Sequence, residues 1–132
     1  MPIAIEWIVK DRIILSTLEG KVSSREIENW LDSQHLMVAL GMPRVHHISD
    51  SRRLENLIVD DKRDAWNTMH ILPRSRDFGW HVEISTNPSN QTTPLLRHFA
   101  GVGMLAYPTV SDALKFLCEH DESLLELLYQ RV

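Results

Sequence analysis

The chain has 132 residues, 43% of them hydrophobic, and carries 18 acidic against 14 basic side chains for a net charge of −4. That length makes one domain, large enough to bury roughly two-thirds of the surface its unfolded form exposes. The charges are interspersed, so no basic face offers itself to nucleic acid; a lone cysteine excludes an intrachain disulfide, and no run approaches the ~20 apolar residues that span a bilayer.

The first element is a hairpin. Ile3, Ile5, Trp7 and Val9 alternate with polar or small residues, Lys10-Asp11 can turn the chain, and Ile13, Leu15 and Thr17 alternate again. Ser23-Ser24-Arg25-Glu26 is then a capping box: the Ser23 hydroxyl takes a free amide three residues on, and Glu26 reaches back. It opens an amphipathic helix with Ile27, Trp30, Leu31, Met37 and Val38 on its inner face, Gln34 interrupting one turn, and Gly41 and Pro43 ending it. A short strand follows from Arg44 to Ser49, and Asp50-Ser51 opens a polar loop that runs to about Asn56.

Asp60 or Asp61 caps the next helix, whose inner face is Ala65, Trp66, Met69 and Leu72 and which stops at Pro73. Phe78 to Ser85 is a strand with Trp80, Val82 and Ile84 on one side and His81, Glu83 and Ser85 on the other. After the Asn87-Pro88-Ser89-Asn90 turn, Thr93 and Pro94 begin a short helix with Leu95, Leu96 and Phe99, closed by Gly101 and Gly103. Met104 to Tyr107 forms the last strand. Thr109-Val110-Ser111-Asp112 opens a helix carrying Val110, Ala113, Leu114 and Leu117, and Leu124, Leu125, Leu127 and Leu128 extend or restart it.

The order β-β-α-β-α-β-α-β-α predicts an α/β domain over residues 1–132: a mixed sheet of about five strands, antiparallel in its first hairpin and parallel thereafter, with about four helices. The hairpin Ile3 to Leu18, the Gly20-Lys21-Val22-Ser23 entry to the first helix, the strand ending at Asp50 with Leu54 after it, and the Tyr107 to Leu117 passage resemble the anti-sigma-factor antagonist fold, the STAS-like superfamily and its SpoIIAA-like group of small bacterial proteins. The resemblance implies a protein-interaction or small-ligand role. Partner-switching members carry a phosphorylatable serine at the start of the second long helix, where this chain reads Val59-Asp60-Asp61-Lys62, so the switch does not carry over.

Candidate sites are few. His46 and His47 are adjacent on a strand and point oppositely, so they cannot chelate one ion together. One of them can face His81 or Glu83 from another strand as a polar or metal-binding pair, the simpler account being a hydrogen-bonded core histidine. Asp50, Ser51, Arg52 and Arg53, with His47 nearby, lie where open α/β sheets gather ligands, and the paired guanidinium groups can hold an anion. The plainer alternative has Asp50 accepting loop amides and the arginines solvated or paired with Glu55 and Asp60. Arg74-Ser75-Arg76-Asp77 carries the same ambiguity. Ser51 lacks a Gly-x-Ser-x-Gly elbow, Cys118 sits in a packed helix face without a setting that lowers its pKa, and Gly101-Val102-Gly103 is a helix stop rather than a phosphate loop.

The four tryptophans Trp7, Trp30, Trp66 and Trp80 are expected as core anchors, each on the apolar side of its element. The surplus leucines at the C-terminal end, with Leu124 and Leu128 as the pair left least buried, can bury against a second copy. The leading expectation is a non-enzymatic regulatory or protein-interaction module with a protein partner or itself as partner, no cofactor and no metal. The alternative is a small-ligand- or anion-binding protein or enzyme using the Asp50-Arg53 loop and a nearby histidine. An amino terminus without a basic stretch and a long apolar run points to the cytoplasm.

Overall fold

A computed structural model describes residues 3–42, 44–58, 78–85 and 105–129. Strands β1 (Ile3–Val9), β2 (Ile13–Ser23), β3 (Val45–Ile58), β4 (Phe78–Ile84) and β5 (Leu105–Tyr107) form one sheet in the order β1-β2-β3-β4-β5. The described helices are α1 (Ser24–Leu40), α2 (Val110–His120) and α3 (Ser123–Tyr129). β1 pairs antiparallel with β2, and every later pairing is parallel, as expected. The two helices expected around Ala65–Leu72 and Leu95–Phe99, together with Trp66, lie outside the described residues. The leucine-rich tail restarts as α3 rather than extending α2, because Asp121 leaves the helical region and caps α2.

Asp11 makes the hairpin turn in the left-handed region at φ 66°, which a short polar side chain tolerates, and the Arg12 amide closes it onto Val9 O at 3.0 Å. Gly20 has φ 64° at a register shift between β2 and β3, a bulge that only glycine enters without strain. Both halves of the Ser23/Glu26 capping box are present at the head of α1. Ser23→Ala is expected to cost about 1 kcal/mol, read as a lower urea midpoint with an unchanged slope.

β3 corrects the sequence reading. The stretch expected as a loop from Asp50 to about Asn56 is strand, and β2 likewise continues past Leu18 to Ser23. The two polar segments pair with each other, Glu19 beside Arg53, Gly20 beside Leu54 and Lys21 beside Asn56. Each one alone has turn-like composition; the ladder between them overrides it.

The faces of the sheet differ. On one, Ile13, Ile48, Val82 and Ile84 pack with Ala113, Phe116 and Leu117 of α2 and Leu124 of α3 into an apolar core. On the other, α1 lays Ile27, Trp30, Leu31, Gln34 and Val38 inward, and Val38 packs with Ile14 and Val45. Leu124 is fully buried and Leu128 half-buried against the α2 core, so they are not the least buried pair; Leu125 is the exposed leucine there. Trp30 is a core anchor and Trp7 half-buried, whereas Trp80 is 37% exposed, its ring set edge-on to Phe116 and His120. Among the described residues no helix is long and apolar enough to cross a membrane.

Candidate functional site

The α1 face carries a row of polar side chains where a central strand normally carries aliphatic ones. β2 supplies Ser16, β3 supplies His47, Ser49 and Ser51, and β4 supplies His81 and Glu83; alternation along each strand sends all six to this face. Ser16 Oγ meets His47 Nε2 at 2.7 Å, Ser49 Oγ meets His81 Nε2 at 2.8 Å, and Ser51 Oγ donates to Glu83 Oε1 at 2.9 Å. The first two bonds share one geometry. Ser16 lies beside Ser49 and bonds the residue two before it, and Ser49 lies beside Glu83 and bonds the residue two before that. Parallel strands with a common register thus repeat one diagonal link from β2 to β4.

α1 closes the row from above. Trp30 Nε1 donates to Ser16 Oγ at 2.7 Å, and its ring stands edge-on to His47 with centroids 5.8 Å apart. His47 and His81 face each other across β3 and β4 at 4.4 Å, as the alternation predicted for one of the paired histidines. The Gln34 amide, one helical turn beyond Trp30, is fully buried, and among the described residues neither of its atoms has a hydrogen-bond partner. Such a group costs stability where it stands.

His46 points to the opposite face and joins a second network. Its Nδ1 accepts the Trp80 amide at 3.0 Å, which places the neutral ring's proton on Nε2, donating to Asp121 Oδ2 at 2.7 Å. Arg12 donates to the same oxygen at 2.7 Å, to Ser123 Oγ at 2.8 Å and to Arg44 O at 3.1 Å. Burial alone would raise the Asp121 carboxyl, but hydrogen bonds from His46 and Ser123 and the Arg12 charge hold it below its ordinary range. The network ties the α2–α3 junction to the hairpin turn and the head of β3.

The residues proposed for an anion site do not converge. Asp50 takes the Arg52 amide and is clamped by its guanidinium at 3.0 and 2.8 Å; Arg53 reaches Glu19 at 3.0 Å rather than Glu55. Ser51 turns inward to Glu83, and His47 lies on that same inner face, held by Ser16. Arg74–Asp77, the Val59–Lys62 segment and Gly101–Gly103 lie outside the described residues. Cys118 is partly buried, and burial pushes its thiol up. Among the described residues no three His, Cys, Asp or Glu side chains gather to hold a metal ion.

The histidines should make the fold acid-sensitive. Burial pushes His81 down to about 4, burial and the neighbouring His81 hold His47 well below its ordinary value, and burial lowers His46 despite Asp121. Each therefore binds a proton more readily in the unfolded chain, where the value is 6.5. Their contribution is intact above that pH and weakens as pH falls below it; for His81 the loss runs from 6.5 down to about 4, with a slope approaching ~1.4 kcal/mol per pH unit. Urea midpoints compared at about pH 7.5 and about pH 5 should fall with acidification, and a flat profile would contradict the buried neutral pairs.

No protein-family model matches this chain, and no curated protein matches it. Solved structures share its fold, two of them as follows. An uncharacterised DUF3478-family protein with a SpoIIAA-like fold from Shewanella loihica PV-4 is 19% identical, over 88% of this chain and 92% of that one, with a TM-score of 0.59. The anti-sigma factor antagonist SpoIIAA in its unphosphorylated form is 18% identical, over 87% of this chain and 96% of its own, also with a TM-score of 0.59. The chain has a SpoIIAA-like fold.

Proposed function

We propose that this chain is a non-enzymatic regulatory module that works by binding another protein in the cytoplasm. The fold carries this reading, because a solved structure that shares it is an anti-sigma factor antagonist. The chemistry of the interior agrees with it. His46, His47, His81 and Glu83 bond to neighbouring strands and helices, where they set geometry rather than meet a substrate. A partner of the class such antagonists act on, an anti-sigma factor, is the first to try.

The test is capture of the partner from the native cells with the tagged full chain, then calorimetry on the two purified proteins. Saturable binding at a fixed stoichiometry supports the module. The second reading, a small-anion binder, keeps one observation in its favour: the Arg53 side chain is 78% exposed at the far end of β3. A thermal shift produced by small anions and abolished by Arg53→Ala, with no protein partner captured, would replace the first reading with the second.

A further inference from the structure

β1 is an edge strand: among the described residues only β2 lies beside it. Its Ile3, Ile5 and Trp7 pair with Leu18, Ser16 and Ile14 and so point to the α1 face, while Ala4 and Glu6 point to the other. Ile5 and Trp7 are half-buried and, like Met37 of α1, pack against the cluster of Ile14, Val38 and Val45. Above them the exposed surface of α1 is lopsided. Leu36 and Leu40, one turn apart, are 61% and 71% exposed, and Met42 just beyond the helix is 63% exposed. Helical geometry puts Leu40 and Met37 on the flank toward β1, Leu36 on the crest, and Glu28, Asp32 and His35 on the far flank. An apolar strip thus descends from the crest of α1 to the open edge of the sheet.

We propose that this strip and the β1 edge form a two-fold interface with a second copy of the chain, in which the two β1 strands pair antiparallel and the two α1 helices meet on the same side. This rests on the protein-interaction reading and names one partner for it. The strand's own residues select the occupant. Centred on Ile5, an antiparallel β1 pair sets Ile5 against Ile5 and Ile3 against Trp7, an all-apolar row beneath the helices. It also sets Ala4 against Glu6, keeping the two Glu6 carboxylates apart. Centring one position later would oppose Glu6 to Glu6, so the charges disfavour that register.

The helices fit the same axis. α1 lies over β1 to β3, and a helix centred over the middle one of these strands, about one and a half strand spacings from the two-fold, would stand roughly 14 Å from its mate. Leu36, Leu40 and Met37 from both sides fill that gap. The contact is isologous and closes at two copies. A strand edge alone would risk open-ended growth; the flanking helices restrict it to a pair.

Sedimentation velocity on the full chain from about 1 to 200 micromolar decides the matter. A monomer–dimer equilibrium with a midpoint in the micromolar range is expected, together with slower hydrogen exchange at Ile3–Trp7 as concentration rises. The Leu36→Glu/Leu40→Glu double variant should weaken the dimer at least about 30-fold while keeping the thermal midpoint that the wild type shows at concentrations where it is monomeric, because both side chains stand in solvent in the single copy. Leu125→Glu, on α3, should leave the dimer unchanged. A wild-type chain that stays monomeric throughout, or a dimer that survives the double variant and is broken by Leu125→Glu, overturns the proposal. If the monomeric chain still binds a protein partner saturably, the module reading stands without the dimer.

Discussion

Trp30→Ala is expected to lower the stability of the fold by about 3–5 kcal/mol. The side chain is 4% exposed and sits where α1 meets the polar row. Truncation removes its apolar contacts and the edge-on contact with His47, and it takes away the indole donor to Ser16 Oγ. The cavity cannot collapse easily, because β2 and β3 below it are held in register along most of their length. Trp30→Phe keeps most of the volume and loses chiefly the hydrogen bond, so about 1–2 kcal/mol is expected. Equal losses from the two variants would mean that the bond to Ser16 carries the effect and that packing over His47 is minor. Urea melts followed by far-UV circular dichroism separate these outcomes.

Gly79→Ala should cost about 3 kcal/mol, a large effect for adding one methyl group. A Cβ at this position would lie 2.6 Å from His46 Cε1 and closer still to Nδ1. To admit the methyl group the ring must swing away, and it then gives up both the Trp80 amide and Asp121. A double-mutant cycle with His46→Ala isolates this cause. In the His46→Ala background the space is open and Gly79→Ala should be close to neutral. If it remains as damaging there, the clash is with something other than the imidazole.

Much of this architecture was legible in the residues. The alternation in Ile3–Val9 and Ile13–Thr17, the Ser23/Glu26 box and the Thr109 cap mark elements that form where expected, because each is specified by neighbours in the chain. The extensions of β2 and β3 were not legible. Glu19-Gly20-Lys21 and Asp50-Ser51-Arg52-Arg53 have turn composition, and only their pairing with each other makes strand the better state. The polar row was half legible: alternation put one of His46 and His47 against His81 or Glu83 without saying which, whereas Ser16, Ser49 and Trp30 enter it through a shared register that no single strand encodes. The Arg12–Asp121–His46 network was out of reach, since its members are more than thirty residues apart and meet only where a turn, a strand and a helix junction converge.

The diagonal serine links have a consequence for how the strands find their alignment. A slip of two residues between parallel strands leaves every side chain on its original face, so an apolar core alone discriminates weakly against it. In this sheet the same slip would strand Ser16 opposite the wrong neighbour, separate Ser49 from His81, and leave several buried donors and acceptors without partners at once, each at a cost of ~1–3 kcal/mol. The greasy face supplies cohesion, while the hydrogen-bonded face acts as a checksum on alignment, rejecting a mispaired sheet that would otherwise be nearly as compact as the correct one.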